Sequence, residues 1–242
     1  MTNDTQNIEY ADYIDVNADA SKKFIAKVFA WMFVALGVST LCAYLFANDA
    51  TLLSLLIDME TGRRTGLGTI IMFAPLAFML VMSFGINKIS YPVMMLLFIE
   101  FATTMGISLS FIFLRFTSGS ITGVFLSSSL LFGVMAVLGY TTDTDLTKMG
   151  SLLMMALFGM IIASVVNMFM KSDQMQYIIS FIGIIVFTGL TAYDVQKLKR
   201  IGAGIEFGDA SASKMVLMGA LTLYLDFINL FLSMLRIFGS RK

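Results

Sequence analysis

Three carboxylates stand where an apolar sequence should not place them: Glu100, Asp194 and Asp226. Each falls inside a long hydrophobic run. At bilayer depth a charged side chain costs on the order of 2.5–3.5 kcal/mol by insertion scales, so such residues face a partner, a cavity or a pathway. Asp226 is the most demanding, because no charged residue lies within a turn of it. Thr222, Asp226, Asn229 and Ser233 recur at helical spacing and form one polar stripe on an otherwise apolar helix. Asp194 shares a face with Thr188 and Thr191, and Lys197 follows one turn later. Two readings stay open for it: part of a converging site, or a helix-end carboxylate paired with Lys197 or Lys199. Glu100 shares a face with Thr103, Thr104 and Ser108. It either lines a pathway or, protonated, hydrogen-bonds a neighbouring helix.

Composition says what must position these groups. Of 242 residues, 58% are hydrophobic and 13% charged, with a net charge of zero. A soluble domain carries roughly twice that charged fraction. The neutral balance offers no footprint for nucleic acid. There is no histidine, which removes histidine metal ligands, Ser-His-Asp and Cys-His catalysis, and the side chain that usually titrates near neutrality. Cys42 is alone, so no internal disulfide forms, and it reads as a small packing residue. HExxH, GxSxG and P-loop patterns are absent, and GAGIEFG at 202–208 follows no strand, so it reads as a connection.

A helix needs about 20 apolar residues to cross about 30 Å of hydrocarbon. Seven stretches qualify: 24–46, 67–84 with Pro75 inside, 93–113, 121–140, 152–170, 177–198 and 215–238. Short charged connections join them, and no second domain or internal repeat fits between. The expected organisation is a polar, mostly acidic tail over 1–23, carrying Asp4, Glu9, Asp12, Asp15 and Asp19, followed by a transmembrane domain over 24–242. Nine Lys and Arg fall on the N-terminal side of the segments and seven on the other, which favours a cytoplasmic N-terminus.

Residues 187–199, Phe-Thr-Gly-Leu-Thr-Ala-Tyr-Asp-Val-Gln-Lys-Leu-Lys, resemble the signature of the Bax inhibitor-1 family, and Leu-Tyr-Leu-Asp-Phe-Ile-Asn-Leu-Phe at 223–231 resembles that family's last helix. The two motifs come in the family's order, and the likeness covers nearly the whole chain. It implies an all-α integral membrane protein, a seven-transmembrane-helix bundle with the last helix central. It also implies a bacterial inner-membrane location and a pH-dependent calcium leak gated by two aspartates, which map onto Asp194 and Asp226. Some members set an arginine from the second helix against that pair. Segment two here has none, and Arg63 and Arg64 lie just before it.

The chemistry of the pair agrees with that implication. Two carboxylates held close cannot both ionise cheaply, so they share a proton. Ionised, they offer hard oxygen ligands that suit calcium, but far fewer than the six to eight of a tight site. The expectation is therefore weak, passing calcium at Asp194 and Asp226, no tightly bound cofactor, and Glu100, Thr191, Thr222, Asn229 and Ser233 as pathway-lining candidates. Lipid, protons and calcium are the expected partners. Other readings remain: a non-transporting regulator that binds another membrane protein, an intramembrane aspartyl protease, or a secondary transporter. A protease would set its second aspartate in Gly-x-Gly-Asp, whereas Asp226 sits in Leu-Tyr-Leu-Asp. A transporter would be expected to show an internal repeat. One geometric condition follows from the spacing. Counted from the loop at about 1.5 Å per residue, Asp194 lies about 9 Å deep and Asp226 about 18 Å, so they meet if the last helix starts outside the bilayer, near Ala210, or if segment six continues beyond it, for which Lys197, Lys199 and Arg200 leave little room.

Overall fold

The computed structural model describes residues 2–204 and 210–242, with side chains over 19–204 and 211–242. The acidic tail side chains Asp4, Glu9, Asp12 and Asp15, and the 205–209 part of the GAGIEFG connection, lie outside the described residues. Eight helices follow in order: α1 (Thr2–Asn48), α2 (Ala50–Leu56), α3 (Gly66–Gly85), α4 (Tyr91–Arg115), α5 (Ser118–Thr141), α6 (Thr147–Met170), α7 (Asp173–Ala203) and α8 (Ala210–Phe238). Seven are long and apolar enough to cross a membrane; the seven-residue α2 is not. The chain is a multi-pass membrane protein.

Local chemistry sets the helix starts. Asp49 accepts from the Thr51 and Leu52 amides at 2.8 and 3.1 Å to open α2. Thr65 accepts from the Gly68 amide at 3.0 Å to open α3. Ser90 followed by Pro92 begins α4, where a missing N–H costs nothing. Ser172 accepts from the Met175 amide at 3.2 Å to open α7. Pro75 sits inside α3 without ending it.

In lipid, helices associate through close packing and interhelical hydrogen bonds rather than by escaping water. Small residues mark the close crossings. Gly106 of α4 lies against the Ser39 backbone of α1, and Gly139 of α5 lies against the Ala192 backbone of α7. The Ser39 hydroxyl hydrogen-bonds the Ala102 carbonyl at 2.7 Å and the Tyr224 hydroxyl at 2.7 Å, which ties α1, α4 and α8 through a wholly buried tyrosine. Phe101 meets the Tyr224 ring edge-on at 5.3 Å. α8 packs against α1, α3, α4, α5 and α7, whereas α6 packs on α7. Of the spans, α8 is the most enclosed, with 67% of its most apolar window buried, against 50% for α7 and 6% for α6.

At the end of α7 a polar clamp holds the α5–α6 connection. The Gln196 amide donates to the Thr144 carbonyl at 2.8 Å and accepts from the Leu146 amide at 2.9 Å. Arg200 donates to Asp145 at 2.8 Å. The Thr147 hydroxyl, then Arg200, then the Thr147 amide hold the Asp145 carboxyl down at about 2. A depressed carboxyl contributes fully above its ordinary value near 3.8 and loses that contribution as pH falls through about 2. Thr147→Ala should move the Asp145 titration up toward 3.8, and Arg200→Ala should move it less. Isotope-edited NMR of the aspartate carboxyls in micelles reads both; an unmoved midpoint in Thr147→Ala would refute the assignment.

Candidate functional site

Asp194 and Asp226 come from α7 and α8, which run antiparallel against each other. Two close approaches fix their register. Gly219 lies against Leu198, and Gly183 lies against Ser233, where a Cβ would stand 2.6 Å from the serine hydroxyl oxygen. Four residues back from Leu198 on α7 is level with four residues on from Gly219 on α8. Asp194 is therefore level with Leu223, about 4.5 Å along the axis from Asp226. α7 runs on to Ala203 and α8 is already helical at Ala210, so both helices continue past their apolar runs and allow this alignment.

The register and the shared burial bring the two carboxyl groups within reach of each other. A carboxylate only accepts, so a bond between two carboxyls needs a proton on one of them, its O–H donating to the other. Both residues are buried, Asp194 at 8% exposure and Asp226 at 5%. The Asp226 Oδ2 atom has no hydrogen-bond partner and no access to solvent, and the Thr188 hydroxyl is in the same condition. Lys197 acts on Asp194 through its charge, but neither Lys197 nor Lys199 forms a salt bridge with it among the described residues. Lys199 instead donates to the Tyr140 carbonyl at 2.9 Å and sits 5.0 Å from that ring's centre. No arginine reaches the pair: Arg64 lies over the Phe111 ring at 5.3 Å. Among the described residues no group of three or more acidic, cysteine or histidine side chains could hold a metal, so the site is a two-carboxylate site.

The rest of the polar stripe follows the α7–α8 seam. The Thr222 hydroxyl donates to the Met218 carbonyl at 3.1 Å, the Asn229 amide donates to the Leu225 carbonyl at 2.8 Å, and Ser233 abuts Gly183. The Thr191 hydroxyl is wholly buried and donates to the Phe187 carbonyl at 2.7 Å. Thr191, Thr222 and Asn229 each donate to a carbonyl on their own helix, which leaves oxygen lone pairs as the polar feature of the seam.

Glu100 is not part of this assembly. It is exposed on the outer face of α4, beside the exposed Val93 and Leu96. Its polar companions turn elsewhere: Thr104 donates to the Glu100 carbonyl at 2.8 Å, and Ser108 donates to the Ile71 carbonyl of α3 at 2.8 Å. Sequence reasoning did not find the Ser39–Tyr224 node or the Gln196 clamp. Tyr224 stands two residues from Asp226 in the same motif, which was the one available signal.

Comparison with known proteins gives a consistent result. The profile of the family described as "Inhibitor of apoptosis-promoting Bax1" matches residues 21–242. The inner membrane protein YbhL of Escherichia coli is 44% identical over 220 residues, covering 90% of this chain and 92% of its own. A protein of Borreliella burgdorferi is 40% identical over 220 residues, covering 91% and 93%. A membrane protein of Streptococcus pyogenes is 34% identical over 221 residues, covering 90% and 92%.

Proposed function

Because the chain belongs to the Bax inhibitor-1 family of membrane proteins, we propose that it is a calcium-permeable leak channel whose conduction is set by the protonation of Asp194 and Asp226. The observation that carries this reading is the meeting of the two carboxyls, one from each of the last two helices, in a buried place where Asp226 keeps an unpartnered oxygen. At acid pH the pair holds a proton and is bonded to itself. At higher pH the proton leaves, the two carboxylates repel, and the bond that joins α7 to α8 is lost. The ionised pair is then a hard-oxygen stop for a divalent cation. Two carboxylates hold it too weakly to trap it, which is what a conducting path needs.

On this reading α8 is the axis of the bundle, in keeping with its burial, and Thr191, Thr222, Asn229 and Ser233 supply neutral oxygens along the path. The protein sits in the bacterial inner membrane, as the name of the E. coli relative says of that protein, with its N-terminus in the cytoplasm. It works on calcium and protons without a tightly bound cofactor. The Escherichia coli and Streptococcus pyogenes relatives are named as membrane proteins.

Purified protein in dye-loaded liposomes, assayed for calcium entry from pH 6 to 8, tests the proposal. Flux above that of empty liposomes that changes with pH, and loses that change in Asp194→Asn, is the expected result. Folded protein without flux would leave the family's membership intact and move the function to regulation of a partner membrane protein. Cleavage of a transmembrane reporter, lost in Asp194→Asn, would instead mark a protease.

A further inference from the structure

Two sizeable cavities lie away from the aspartates. They lie along the seam between α1 and α5, two helices that both pack on α8 but not closely on each other. One cavity of about 800 Å³ and one of about 380 Å³ share Leu36, Thr40, Tyr44, Phe113 and Phe125. A third, of about 180 Å³, continues the seam through Phe29, which it shares with the larger cavity. Phe227, Ile228 and Phe231 of α8 form the floor. The rim faces lipid, since Phe33, Leu41 and Tyr44 are exposed.

Shape restricts what fits. From Phe29 to Tyr44 the seam runs 15 residues along α1, about 22 Å. That exceeds one leaflet's share of hydrocarbon, about 15 Å, so it accepts a complete acyl chain. A helix about 10 Å across and that long would need on the order of 2000 Å³, well above what the seam offers.

Charge restricts it further. The far end of the seam, lined by Asn48, Ser118 and Thr122, closes at the α4–α5 turn. Four basic residues gather there. Arg115 ends α4, Arg236 is close enough to feel its charge, and the chain after α8 lies over the turn. Arg241 bridges Phe116 through its backbone, the Lys242 amide donates to the Arg115 carbonyl at 3.0 Å, and the Lys242 amine donates to the Phe113 carbonyl at 2.8 Å. Among the described residues none of the four has a carboxylate within salt-bridge distance. Like charges crowded with no side-chain carboxylate among them, above an apolar slot, match a phosphate head on an acyl tail.

We propose that the α1–α5 seam binds an anionic phospholipid, with one acyl chain lying on α8 and the phosphate held by the basic cluster at Arg115, Arg236, Arg241 and Lys242. This does not depend on the channel reading. The occupied seam would place lipid against Phe227, next to Asp226 in sequence, so the lipid becomes part of what packs the last helix.

Delipidated protein in detergent, titrated with phosphatidylglycerol or with phosphatidylcholine of the same chains and followed by native mass spectrometry, tests this. The expected result is one phosphatidylglycerol retained in preference to phosphatidylcholine, unaffected by millimolar inorganic phosphate. Arg115→Gln and Arg236→Gln should each weaken phosphatidylglycerol about fivefold, with phosphatidylcholine changed less than about twofold. Thr40→Trp, which fills the slot from its rim, should remove both lipids while helix content and elution volume stay as in the wild type. Equal retention of the two lipids, or arginine variants that bind like wild type, would overturn the proposal. So would displacement by inorganic phosphate, which would mark a free-anion site, or a dimer that retains no lipid, which would mark a second copy in the seam.

Discussion

Replacing Asp226 with asparagine is expected to leave calcium flux flat, within about twofold, from pH 6 to 8, at the level that wild-type protein reaches at the acid end. The amide is the size of the carboxyl and carries N–H donors that cannot be titrated away. It can keep a hydrogen bond to the Asp194 carboxylate at every pH, as the shared proton does only at low pH. A single proton changes the population it controls by up to about tenfold per pH unit, so the wild type should vary severalfold across the range while the variant does not. Lys197 is the cation whose charge reaches Asp194, and it remains in place in the variant. Glu100→Gln is the matched control: it also removes one membrane-embedded carboxylate, but from the outer face of α4, and should keep the wild-type pH profile. A profile in Asp226→Asn that follows wild type would sink the gating role of the pair. A flat profile in Glu100→Gln would show that the outer carboxylate, not the α7–α8 pair, senses pH.

That contrast between two acidic residues shows what a sequence can disclose here. Hydropathy located all seven spans, because about 20 apolar residues have few other places to go. The helices nevertheless extend past the apolar runs at most ends. α7 runs from Asp173 to Ala203 rather than over 177–198, since backbone hydrogen bonding continues where hydrophobicity stops. α2 was missed because seven residues of ordinary composition leave no periodic signal. The polar stripe on α8 was legible, and so was the need for one of the last two helices to run past its apolar stretch; both do. Glu100 was not. Its threonine neighbours gave it a polar face, but periodicity cannot say whether a face meets a helix or lipid when both surroundings are apolar. The Ser39–Tyr224 bond joins residues 185 apart, and no local pattern reports such a pair.

Gly139 should prove as sensitive as any acidic residue, by a purely steric route. A Cβ built there stands 2.7 Å from the Ala192 Cα and closer still to the Ala192 carbonyl oxygen. A side chain could rotate away from that contact, but a helix backbone cannot, so α5 and α7 must separate. Overpacking of this kind costs about 1–3 kcal/mol for a single methyl. Gly123, on the same helix, has open space where its Cβ would be, and alanine there should be neutral or stabilising by up to about 1 kcal/mol through helix propensity alone. The pair of alanine variants thus separates packing from propensity in one thermal melt in detergent. Gly139→Ala should melt well below Gly123→Ala; equal midpoints would mean that the α5–α7 crossing is looser than its geometry requires. Ala192 lies two residues before Asp194, so a displaced α7 carries the carboxyl away from Asp226. Gly139→Ala should therefore also blunt the pH dependence of flux while both aspartates are still present. The contact between them, and not their presence alone, is what the crossing of α5 and α7 maintains.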